Sequence, residues 1–214
     1  MQTNDKLHKA VWLAALLAGL SYLFVARHDS GALYIVWKGA GVTLLALWCV
    51  MQARQAAGWM IAAVMAFGAL GDILIETSVL TAGALAFALG HIVAMVLYWQ
   101  NRRAELSPSQ KALAITLLIA TPLVSWWLTK APEVTFYAAL LGGMAAAAWI
   151  SRFPRYRTGI GAVMFVVSDW LIFARLGQLS SAVWVSYAIW LLYFGGQAMI
   201  ATGVVKTLNG DKSV

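Results

Sequence analysis

Asp72 and Glu76 in AFGALGDILIE, and Asp169 in VMFVVSDWLIF, are carboxylic acids set in otherwise apolar stretches. Holding a charged acid in hydrocarbon costs several kcal/mol, with estimates from about 3 upward. Each is therefore expected to have a partner or a task. A carboxyl kept from water holds its proton more tightly, which makes it a proton donor near neutral pH. A second, ionised carboxyl can activate water. Asp72 and Asp169, on different helices, are thus the minimum set for acid–base hydrolysis. A proton relay in a transporter uses the same parts, so the pair alone leaves both functions open.

The surrounding polar residues extend this set. Asp72 and Glu76 are four apart and share one helix face, and Gly68 and Gly71 before them let a neighbouring helix approach closely. A structural alternative is an ion pair with Lys38 or Arg175, with Glu76 ending its helix at the interface. Asp169 follows Ser168, itself a candidate supporting residue of the site, and the structural alternative for Asp169 is a hydrogen bond to Ser168, to a tyrosine or to Lys38. Lys38, in ALYIVWKGAGV, can pair with an aspartate, hold a lipid phosphate or snorkel to the interface. His91 is the only histidine well inside an apolar run, and no HxxxH or HExxH pair accompanies it. One His and two Asp make a poor metal set by comparison with zinc hydrolases, so His91 is expected to line the site and no metal is expected. Tyr187, Tyr193 and Gln197 fall on the last apolar run, where they support the substrate or join helices by hydrogen bonds.

These residues need a membrane scaffold. The chain has 214 residues, of which 62% are hydrophobic and 11% charged, with mean hydropathy +0.79. Soluble domains carry roughly 25% charge, so the composition is that of an integral membrane protein with one transmembrane domain over 1–214. The basic balance, 15 Lys and Arg against 8 Asp and Glu, reads as topology rather than nucleic-acid binding, because the cations sit in short loops. The single cysteine, Cys49, lies in a span and cannot form an internal disulfide. Lys6 and Lys9 before VWLAALLAGLSYLFVA resemble the start of a signal peptide, but no small-x-small cleavage site follows. This run is read as the first span.

Spans need about 20 mostly apolar residues. Eight segments qualify: 10–26, 32–52, 58–76, 79–99, 111–128, 134–150, 158–175 and 182–204. Their length predicts helices, since backbone polar groups in lipid must be satisfied within the segment. The fold class is therefore an all-α polytopic membrane helix bundle of eight transmembrane helices. Lys6, Lys9, Arg54, Arg102, Arg103, Lys111, Arg152, Arg155, Arg157, Lys206 and Lys212 fall on one side, and Arg27, Lys130 and Arg175 on the other. The positive-inside rule then puts both termini in the cytoplasm. At about 1.5 Å per residue, Asp72 lies roughly 21 Å from the cytoplasmic start of the third span and Asp169 roughly 16 Å into the seventh. The acids, Lys38 and His91 fall between mid-membrane and the outer leaflet, with Glu76 and Arg175 at the outer mouth. They form one site if their helices are neighbours.

At these residues the chain resembles the YhhN family, which includes lysoplasmalogenases. The resemblance rests on Lys38, GDILIE at 71–76, GALAFALGH at 83–91, GAVMFVVSDWLIF at 161–173 and YFGGQ at 193–197. Two positions depart from the family pattern: Gly39 follows Lys38 where a proline is common, and His91 lacks the tyrosine that often follows it. The resemblance implies hydrolysis of the vinyl ether bond of lysoplasmalogens, giving a fatty aldehyde and a glycerophospho-alcohol. It carries the family's acidic positions onto Asp72 and Asp169. No cofactor is implied. The implied partners are a lysophospholipid substrate, water and membrane lipids, with no nucleic acid and the oligomeric state left open. The implied location is the bacterial inner membrane, crossed many times. A proton-coupled transporter or lipid-binding protein using the same carboxylates is the alternative, and a metal-dependent lipid amidase a further one.

Overall fold

The computed structural model describes residues 2–25, 31–77 and 79–210 and is all-helical among them. In chain order the helices are α1 (Gln2–Val25), α2 (Ala32–Gln52), α3 (Ala56–Glu76), α4 (Leu80–Gln100), α5 (Pro108–Thr129), α6 (Pro132–Ile150), α7 (Ile160–Arg175) and α8 (Val183–Leu208). A π-helical turn, Arg155–Gly159, leads into α7. Among the described residues, eight helices are long and apolar enough to cross a membrane. The protein is an integral, multi-pass membrane protein.

The helix ends follow local chemistry. Ser107 caps α5 by accepting from the Gln110 backbone N–H at 3.3 Å, while the Gln110 side chain accepts from Ser107 N–H at 2.9 Å. This reciprocal box satisfies two of the donors that a helix start leaves unpaired. Proline opens both α5 and α6, where its missing N–H costs nothing. Between them Lys130 takes a left-handed conformation with φ 55° and ends α5. Helix α1 starts upstream of the apolar run expected from residue 10, because its polar N-terminal residues continue the same helix. Two cations used for sidedness, Arg27 and Lys212, lie outside the described residues.

Backbone packing divides the chain into two compact units, one of residues 1–93 with 204–214 and one of residues 94–203. In the first, α1 packs on α2 and α2 on α3. Helix α4 meets α3 at Gly71, where an added Cβ would stand 2.6 Å from the Phe87 ring. A glycine is what admits the ring there. The C-terminal end is tied to the α2–α3 connection: Asn209 Nδ2 donates to the Gln52 carbonyl at 3.5 Å, and Gln55 Nε2 to the Leu208 carbonyl at 3.4 Å.

In the second unit α5 packs on α6, and α7 packs on both. Helices α7 and α8 cross at Gly161 and Gly196, and a Cβ on either would come within 2.7 Å of the other's carbonyl oxygen. Close approach through small residues is how helices associate where lipid offers no hydrophobic driving force. At the opposite end from Asp169 on α7, Arg103 Nε donates to the Ser151 carbonyl at 2.9 Å, and Arg152 N–H to the Asn101 carbonyl at 2.7 Å. These bonds knit the α4–α5 connection to the α6–α7 connection. Large apolar side chains such as Leu17, Phe24, Leu123 and Phe136 stay exposed, as a lipid-facing surface requires.

Candidate functional site

The first unit carries Asp72 and Glu76 on α3. Asp72 is buried, with 3% of its surface exposed. Glu76 is the last residue of α3 and forms an ion pair with Lys38 of α2, both side chains being mostly buried. Gly39, next to Lys38, allows this approach, since a Cβ there would stand 2.7 Å from Ile73 Cγ1. Helix α1 brings Tyr22, which donates to the Tyr34 hydroxyl of α2 at 2.6 Å. Trp37 Nε1 donates to Ser21 Oγ at 3.0 Å, a second polar link between α1 and α2. His91 is buried on α4, with 4% exposed.

Of the sequence-derived candidates in this unit, the packing joins Lys38 to Glu76. Lys38 neither snorkels alone nor stands as a lone cation; its charge is matched at the end of α3. Tyr22 and Tyr34 were not among the candidates. A tyrosine in a first span that reads as uniformly apolar gives no sign of its role until α2 is beside it.

The second unit holds Asp169 on α7, buried to 5% exposure. Tyr137 of α6 donates its hydroxyl to Asp169 Oδ2 at 2.8 Å. The Tyr137 ring meets Phe173, one turn along α7 from Asp169, edge-on at 6.5 Å. When the carboxyl is ionised, such a bond is charge-assisted and stronger than one between neutral groups. The neighbouring Ser168 turns the other way, and its hydroxyl donates to the Ile189 carbonyl of α8 at 3.0 Å. Trp170 Nε1 reaches the Thr121 carbonyl of α5 at 3.4 Å, beside Pro122. Arg175, at the end of α7, donates to Ser186 Oγ at 3.0 Å.

On α8, Tyr193 lies edge-on to Phe165 of α7 at 5.1 Å and beside Trp190 at 5.6 Å. Gln197, one turn on, is buried with 2% exposed, whereas Tyr187 is half-buried. Tyr137, like Tyr22 and Tyr34, is not singled out by the sequence. The signal available was the rule that a buried acid needs a donor; the rule does not say which tyrosine supplies it. Among the described residues no group of three or more His, Cys, Asp or Glu side chains could hold a metal ion.

Buried carboxyl groups held by partners on neighbouring apolar helices define a polytopic membrane protein with polar chemistry inside its spans. A family model matches residues 33–204, and the chain belongs to the YhhN family. Comparison with curated proteins and with solved structures found no match to either.

Proposed function

We propose that this protein is an intramembrane hydrolase that cleaves the vinyl ether bond of lysoplasmalogens. The observation that carries the reading is Asp169, a buried carboxyl on an apolar helix with a tyrosine hydroxyl directed at one of its oxygens. Membership of the YhhN family supports it, as does the burial of Asp72 within α3.

The reaction suits carboxylic acids. A protonated carboxyl gives its proton to the β-carbon of the vinyl ether, leaving an oxocarbenium ion and a carboxylate. Water adds to the cation and returns a proton to a carboxylate. The hemiacetal then collapses to a fatty aldehyde and a glycerophospho-alcohol. Asp72 and Asp169 are the acids assigned to these proton transfers, and the carboxylate charge stabilises the cation as it forms. Lys38, Glu76, His91, Tyr187, Tyr193 and Gln197 are assigned supporting roles around substrate. The protein works in the inner membrane of a bacterium, with both termini in the cytoplasm, and takes its lysolipid from the bilayer.

The test is to supply lysoplasmenylethanolamine to the purified protein in D₂O and analyse products by mass spectrometry. The reading requires a free aldehyde with one deuterium on the carbon next to the carbonyl, because that carbon receives the proton. Intact lysolipid after incubation, together with proton-gradient-driven uptake into sealed vesicles, would replace the hydrolase by a transporter.

A further inference from the structure

We infer that Tyr137 is a positioning residue for Asp169, fixing the carboxyl so that Oδ1 is the oxygen that exchanges a proton with substrate or water. This rests on the reading of Asp169 as a working acid. Tyr137 stands five residues into α6, about 8 Å along the helix from Pro132, and Asp169 stands six residues before the end of α7, about 9 Å from Arg175. The start of α6 and the end of α7 lie at the same end of this helix pair, because α6 and α7 are joined at the other. Matching depth is what lets the hydroxyl meet Asp169 Oδ2 at 2.8 Å.

The ring of Tyr137 is itself held. Phe173 meets it edge-on, with the rings 88° apart, so the hydroxyl is presented by a braced side chain. A tyrosine hydroxyl has one proton to donate, and here it goes to Oδ2. When Asp169 acts as the acid, the proton on Oδ1 is the one that leaves, forming a bond to the vinyl ether β-carbon while the O–H bond breaks. When Asp169 acts as the base, Oδ1 takes a proton from water as that water bonds to the oxocarbenium carbon. In both directions Tyr137 keeps its own proton. Its contribution is orientation and stabilisation of the carboxylate, worth what a hydrogen bond to a charged group is worth. Ser168, though adjacent in sequence, is committed to the Ile189 carbonyl and leaves this position to Tyr137.

The experiment compares full-length wild type, Tyr137→Phe and Asp169→Asn in detergent micelles with lysoplasmenylethanolamine, measuring kcat, KM and the thermal unfolding midpoint. Phenylalanine keeps the ring contact with Phe173 and removes only the hydroxyl. The expected result is a kcat lower by about 10- to 100-fold in Tyr137→Phe, with KM within twofold of wild type and the unfolding midpoint retained. A wild-type kcat in Tyr137→Phe beside an inactive Asp169→Asn would overturn the positioning role and leave the hydrolase reading standing. A change in KM alone, or loss of the folded state in Tyr137→Phe, would likewise overturn it by making the contact a binding or folding one. Full activity in folded Asp169→Asn would remove the underlying reading instead.

Discussion

Lys38 on α2 and Glu76 on α3 form an ion pair at the end of α3, one helical turn from the buried Asp72. Glu76 pairs with Lys38 of α2, and Asp72 lies one turn earlier on the same face of α3. Breaking one side of a mostly buried pair leaves an uncompensated charge, which costs more than replacing both sides.

Lys38→Met and Glu76→Gln should each lower stability, and the double variant should lose less than the sum of the two. A coupling of about 1–3 kcal/mol is expected from a double-mutant cycle read by reversible unfolding in micelles. Strict additivity would mean that the two charges do not depend on one another.

The α7–α8 crossing gives a second expectation. Gly161→Val must push against the Gly196 carbonyl and should destabilise by about 1–3 kcal/mol, as overpacking does. Gly177, which has nothing within 4 Å of an added Cβ, is the control. Gly177→Ala should leave the unfolding midpoint unchanged.

Sidedness can be read by labelling introduced cysteines with a membrane-impermeant reagent. Cys49 is fully buried and should stay silent. With both termini in the cytoplasm, Lys130→Cys should label from outside intact cells, and Arg155→Cys only after the membrane is opened. The reverse pattern would invert the orientation.

Acid–base chemistry by carboxyl groups predicts that aldehyde release survives exhaustive treatment with a chelator, within twofold. Loss on chelation, regained on adding a divalent metal, would contradict catalysis by the carboxyl groups alone.

The eight spans were legible because length and hydropathy alone decide which segments cross a membrane, and the helices match the expected segments closely. The largest difference is at α1, where hydropathy marked the apolar part from residue 10 while the polar residues before it carry the helix on to Gln2. Family membership was also legible, through Lys38, GDILIE and SDWLIF in order. Partners were not. Lys38 had Asp72, Glu76 and Asp169 as candidate counter-ions, and only the α2–α3 packing at Gly39 and Ile73 selects Glu76. Ser168 was the nearest donor to Asp169 in sequence, yet helical geometry turns it toward α8. Tyr137, 32 residues away on α6, takes its place. Pairing between helices depends on rotation and depth, which a hydropathy pattern does not encode.

If carboxyl groups within the spans of this YhhN-family protein move the proton in vinyl ether cleavage, aldehyde release depends on both Asp72 and Asp169. The direct measurement is the rate of fatty aldehyde release from lysoplasmenylethanolamine by wild type, Asp72→Asn and Asp169→Asn, each checked for its helical fold. Both variants should fall by about a hundredfold or more, the scale of a lost general acid or base. A folded variant of either kind that releases aldehyde at the wild-type rate would contradict the assignment.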